Sequence, residues 1–140
     1  MGEVRAAQDE LVAEFGLFDD WMDRYQYLID LGRRLPEFPA EAMTDEHRIR
    51  GCQSQVWFLA DMQGDRLHFR ATSDAAIVSG LIAVLLRIYD DREPRDILDT
   101  PADFVAALGL EQHLSPTRSN GLASMLKAIR HFAEEAERSA

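Results

Sequence analysis

Along "FDDWMDRYQYLIDLG", the apolar residues Phe18, Trp21, Met22, Tyr25, Leu28 and Ile29 recur at i, i+3, i+4 and i+7 spacing. That pattern predicts an amphipathic helix with one buried face. Gly32 is placed to cap it in a left-handed conformation, and Pro36 blocks continuation. Residues 33–51 carry two prolines, many charges and no sustained period, so a mostly irregular stretch is expected, with one short helical turn around Glu41. "QVWFLADM" is apolar on both alternating faces, as a strand covered on both sides would be. "QGD" is a turn signal, and "RLHFRAT" then alternates. Leu67, Phe69 and Ala71 lie on one face, with Arg66, His68, Arg70 and Thr72 on the other. This predicts a half-exposed strand pairing back antiparallel.

"DAAIVSGLIAVLLRIYDD" is apolar around most of its circumference, which predicts a central buried helix capped by Ser73 or Asp74. A glycine inside a helix costs about 1 kcal/mol relative to Ala. Gly80 therefore predicts that another backbone passes close by. Pro94 and Pro101 mark helix starts, Thr100 and Asp103 have the spacing of a capping box, and Gly109 ends that short piece. Ser115 and Pro116 open the last helix as N-cap and first residue, with Leu122, Met125, Ile129 and Phe132 as its inward stripe. Two strands need helices to cover them. The order of helix, hairpin and then several helices predicts an α+β fold: a small antiparallel sheet packed against helices in a single domain, residues 1–140. Residues 1–16 are expected as a less ordered or helical N-terminal extension.

Composition narrows the function classes. A chain of 140 residues, 46% hydrophobic, suits one core. With 15 Lys plus Arg against 25 Asp plus Glu, the net charge is −10, which makes nucleic acid a poor partner and a basic patch on another protein a better one. No run approaches the ~18 apolar residues of a membrane span, and the start lacks a basic stretch leading into an apolar one. A soluble, cytoplasmic protein is expected. The single cysteine, Cys52, closes no disulfide within the chain, in keeping with a reducing compartment.

Cys52 sits in "RGCQSQVWF", where the irregular segment meets the first strand. Free cysteines are often buried filler, yet loops on rigid scaffolds are favoured places for reactive groups, and spacing alone leaves the two readings balanced. Gly51 removes a side chain beside the sulfur and permits a tight turn, while Gln53 and Ser54 interrupt the apolar pattern. These neighbours suit a loop tip. A thiol reacts as its thiolate, only a few per cent of it at neutral pH when the pKa is about 8.5, so reactivity calls for a nearby cation or base. Arg48, Arg50 and His47 are near in sequence, although such side chains are usually solvated. His47, His68, His113 and His131 show no ligand spacing, so no metal site is expected, and nothing local supports a cysteine–histidine hydrolase dyad. "SNGL" falls inside the start of the last helix, not in a phosphate-binding loop.

"GCQSQVW", then "SDAAIVSGLIAVLL", then "LGLEQHLSPTRSNGL", with "WMDRYQYLIDLGRRLP" upstream, resemble the SufE family of sulfur acceptors, including its CsdE branch. The similarity runs from Trp21 to Ile129. It implies that Cys52 takes a sulfane sulfur from the persulfide of a pyridoxal-phosphate (PLP)-dependent cysteine desulfurase of the SufS/CsdA kind. It further implies that the chain stimulates that enzyme and passes the sulfur to an iron-sulfur cluster scaffold. Gly51, Gln53 and Ser54 match the loop presenting the thiol, and Asp74 and Arg118 match positions that shape the site or the partner surface. The family fold is a small curved antiparallel sheet against helices, its cysteine loop folded toward an apolar pocket until the desulfurase docks. No cofactor or metal is implied on this chain, which would act as a monomer or homodimer. Where the family commonly has Asn five residues before the cysteine, this chain has His47. The competing reading is a non-covalent adaptor that activates the desulfurase by docking, with Cys52 structural.

Overall fold

The computed structural model describes residues 2–139. It opens with α1 (Glu3–Phe15) and α2 (Trp21–Arg33), followed by two 3₁₀ turns, Ala40–Ala42 and Asp45–His47. Strands β1 (Val56–Gln63) and β2 (Arg66–Ser73) come next, then α3 (Ala76–Tyr89), α4 (Pro94–Asp99), α5 (Phe104–Ala107), α6 (Leu110–His113) and α7 (Pro116–Ser139). The strands pair antiparallel from Val56↔Ser73 to Gln63↔Arg66, closing on a two-residue turn with Gly64 at φ +66°. The fold is thus α+β, a two-stranded sheet packed against helices.

Burial follows the expected pattern on β2, where Leu67, Phe69 and Ala71 are buried. On β1 it holds for half the strand. Val56, Trp57 and Phe58 are all buried, and Asp61–Gln63 are exposed. The outer face at Trp57 is covered by Phe38 and Ala42 from the segment leading to Cys52, which forms a second small apolar cluster. That segment contains two helical turns where one was expected. His47 joins them, its Nδ1 lying 3.0 Å from the Ala42 carbonyl oxygen.

α3 is the central helix, with Val78, Leu81, Ile82, Val84, Leu85 and Ile88 buried. A Cβ built on Gly80 would lie 2.3 Å from the Leu28 carbonyl oxygen, so the backbone of α2 is the close neighbour that Gly80 predicted. Gly32 serves the same contact. It lies inside α2, not at its cap, and a Cβ there would come within 2.7 Å of the Gly80 nitrogen. The expected stripe of α2 is only partly buried: Leu28 is fully inside, whereas Met22 is 73% exposed. Within the expected N-terminal extension, α1 sends Val4, Ala7, Leu11 and Phe15 into the core. Asp96 holds its first turn by accepting the Val4 N–H at 3.0 Å.

Besides the Gly32 cap, two more expected caps are not formed. The N-cap of α3 is Ala75, because Asp74 directs its carboxylate elsewhere and Ser73 Oγ accepts the Ala75 N–H outside the helix. Thr100 and Asp103 make no capping box: Thr100 Oγ1 donates to the Asp96 carbonyl at 2.8 Å, and Asp103 pairs with Arg5 at 3.2 Å. The helix expected at Pro101 begins at Phe104. Ser115 does cap α7, accepting the Arg118 N–H at 3.3 Å. Its stripe of Leu122, Met125 and Ile129 is buried, with Ala133 continuing it and Phe132 half-buried.

Candidate functional site

The loop Arg48–Gln55 is fastened at both ends. At its start the Ile49 N–H donates to the Val56 carbonyl at 2.8 Å. At its end the Gln55 N–H donates to Asp74 Oδ1 at 3.1 Å, and the Asp74 N–H returns to the Gln55 carbonyl at 3.4 Å. Between these ties Gly51 adopts φ +89°, a left-handed conformation that favours glycine. A Cβ there would also meet Ser124 Oγ of α7 at 2.5 Å. Gly51 is therefore required by its torsion, whereas Ser124 Oγ, the end of a short side chain, can turn away from an added methyl.

This turn aims Cys52 inward. Its S–H donates to the Gly121 carbonyl of α7 at 3.7 Å, a weak bond that the thiol can release at little cost. The thiol is partly buried, and burial pushes its pKa up from the ordinary value. That direction favours the thiol over the thiolate that reacts.

Cys52 lies between two spaces. Inside is a chamber of about 20 Å³ lined by Val78 and Leu81 of α3 and by Thr117, Gly121 and Met125 of α7. Gln53, Ser54 and Arg118 complete its wall. Outside is a cleft of about 400 Å³ formed by residues 48–55. The larger cavities at the α1–α4 junction and between α5 and α7 do not include Cys52. The chemistry-bearing group and these two larger hollows are in different places.

The site residues expected from sequence are placed as follows. Gly51, Gln53, Ser54 and Arg118 gather around Cys52, whereas Asp74 acts at one remove by tying down the loop. Arg48 pairs with Asp45 at 3.8 Å, while Arg50 and Arg118 form no ion pair among the described residues. Gly121, Val78, Leu81, Met125 and Ser124 were not expected at the site. The signal for Gly121 was present: like Gly80 it is a glycine inside a helix, and a Cβ built on it would lie against Cys52 Sγ at 3.7 Å, an ordinary contact.

No histidine lines either space beside the thiol. His47 binds Ala42, His68 faces Asp90 and Asp91, His113 stacks on Trp21 at 3.8 Å, and His131 pairs with Glu135 at 2.5 Å. A cysteine–histidine dyad is not assembled. Among the described residues no group of three or more His, Cys, Asp or Glu gathers in a metal-binding cluster, and no helix is long and apolar enough to cross a membrane.

Residues 9–133 match the family model described as SufE, Fe-S metabolism associated domain. An uncharacterized SufE-like protein of Rhizobium meliloti (strain 1021) is 41% identical over 131 residues, covering 90% of this chain and 94% of the relative. An uncharacterized SufE-like protein of Rhizobium etli is 41% identical over 134 residues, covering 92% and 90%. The solution structure of a hypothetical protein from Thermus thermophilus superposes with a TM-score of 0.78 at 21% identity, covering 94% of this chain and 96% of that one. The last comparison bears on the fold alone.

Proposed function

The chain belongs to the SufE family, associated with Fe-S metabolism, and on that premise we propose that it carries sulfur on Cys52 for a PLP-dependent cysteine desulfurase. The observation that carries this reading is the position of Cys52. A lone thiol is held at a loop tip between an open cleft and a chamber that Val78, Leu81 and Met125 line with apolar surface. In the transfer, the Cys52 thiolate attacks the outer sulfur of the desulfurase persulfide. An S–S bond to Cys52 Sγ forms, the S–S bond on the desulfurase breaks, and the desulfurase cysteine leaves as a thiolate. There is no net oxidation, so no redox partner is needed.

Burial raises the Cys52 pKa and so disfavours the thiolate, and opening of the loop, which returns the sulfur to water or to a partner's cations, would favour transfer. Arg50 and Arg118 flank the opening with charges that no carboxylate of the described chain neutralises. On a chain of net charge −10, they suit an acidic rim on the desulfurase. The loaded sulfur then passes to an iron-sulfur cluster scaffold by the same exchange in reverse.

Cys52→Ser separates this carrier from an adaptor that works by docking alone. The carrier reading predicts a variant that still binds the desulfurase and no longer accelerates its turnover in the presence of cysteine. Full stimulation by the serine variant gives the function to the adaptor.

A further inference from the structure

We infer that the corner joining α1 to α2, residues 16–23, is a second docking point for the desulfurase, one that fits a hollow floored by apolar side chains and rimmed by Lys or Arg. The inference rests on the carrier reading of Cys52. Leu17 and Met22 are 80% and 73% exposed, and the next most exposed large hydrophobic side chain, Met43, stands at 43%. Singly scattered apolar residues are normal on a surface, whereas two such anchors within six residues form a patch. Met22 continues the stripe that brings Trp21, Tyr25 and Leu28 against the core, yet the chain leaves it uncovered.

The corner is held in shape by its own hydrogen bonds. The Leu17 and Phe18 N–H groups donate to the Glu14 and Phe15 carbonyls, each at 3.1 Å. Asp20 Oδ1 accepts the Met22 N–H at 2.8 Å, and Arg24 Nε donates to the Phe18 carbonyl at 2.9 Å. A turn tied in this way loses little conformational freedom when a partner covers it. Charge states the partner's chemistry. Asp19, Asp20 and Asp23 accompany the two anchors, all exposed and none in an ion pair among the described residues. The cations nearby are engaged elsewhere: Arg24 lies over the Trp21 ring at 5.2 Å, and Arg87 pairs with Glu14. A basic rim complements this corner, whereas a second copy of a chain of net charge −10 is repelled. Trp21 stacks on His113 at 3.8 Å, two residues before Ser115, the cap of α7, and Arg118 and Gly121 of that helix flank Cys52. The corner thus packs on the segment that leads into the cysteine site, which argues for one partner covering both.

The test measures affinity for the PLP-loaded desulfurase by isothermal titration at low and high salt, with intact mass of wild type read after loading. Leu17→Ser and Met22→Ser should each weaken binding about tenfold at both salt concentrations. The double variant Asp19→Asn, Asp23→Asn should weaken it about threefold at low salt and less at high salt. Asp20 is left in place because it caps α2. Met62→Ser, which removes a 40% exposed side chain near the hairpin turn, should bind as wild type does. Wild-type affinity in both serine variants of the corner, wild-type affinity in the double variant, or an equal loss in Met62→Ser overturns the inference and leaves the carrier reading standing. Failure of wild type to gain about 32 Da overturns the carrier reading and the inference with it.

Discussion

Asp74→Ala should open the cysteine loop without touching the cysteine. Asp74 is exposed and makes no cap for α3; its carboxylate accepts the Gln55 N–H at 3.1 Å, three residues beyond the thiol. Removing one such hydrogen bond from a water-exposed position costs about 0.5–1.5 kcal/mol. The backbone bond from Asp74 to Gln55, at 3.4 Å, would remain as a weaker tie. If that free energy separates closed from open loops, the open population rises roughly 2- to 10-fold. Alkylation of Cys52 by iodoacetamide, in the free protein at fixed pH, should accelerate by the same factor. Asp74→Asn keeps an acceptor oxygen in place and should stay near the wild-type rate. Equal rates in wild type and Asp74→Ala, with the fold intact, would refute the role of this tie in gating. A rate for Asp74→Asn matching Asp74→Ala would assign the effect to charge.

Because burial raises the Cys52 pKa, the alkylation rate of the free protein should climb with pH around a midpoint above the ordinary thiol value, and Asp74→Ala should bring that midpoint down. The linked stability has the matching sign: it is fully present below the unfolded-state pKa and is lost as pH rises through the folded one, which a pH series of denaturant melts reads. Gly80→Ala places a methyl 2.3 Å from the Leu28 carbonyl oxygen, so it should destabilise by about 1–3 kcal/mol, lowering Tm by roughly 5–10 °C; an unchanged Tm would mean that α2 and α3 separate freely. Arg118→Glu, on an exposed side chain, should leave the fold intact and weaken desulfurase binding about 3- to 10-fold at low salt, less at high salt. Unchanged affinity and stimulation would remove Arg118 from the interface.

The hairpin and the central helix were legible in the sequence because their periods are enforced by burial. β2 alternates strictly, and α3 is apolar nearly all round because sheet, α1, α2 and α7 surround it. Gly80 disclosed a close backbone, yet its counterpart Gly32 read as a helix end, since a glycine near a terminus satisfies either role. The caps assigned to Asp74 and Thr100 failed for one reason. Both side chains found better partners, Asp74 across the chain in the Gln55 N–H and Thr100 in the preceding helical turn at Asp96, and local spacing carries no information on such competition. At the site, the loop residues around Cys52 were legible as a contiguous motif. The chamber was not, because Val78, Leu81, Gly121 and Met125 meet the sulfur through the packing of α3 against α7. His47 closes a smaller gap: its ring ties the two 3₁₀ turns together upstream of the loop.

The central claim is that Cys52 is the atom that takes the sulfur. Intact mass of the chain, recorded without reductant after incubation with a cysteine desulfurase, PLP and cysteine, tests it most directly. The account predicts a gain of about 32 Da located on the peptide containing Cys52 and absent from Cys52→Ser. An unmodified chain beside a desulfurase that is turning over, or a gain that survives in Cys52→Ser, contradicts it.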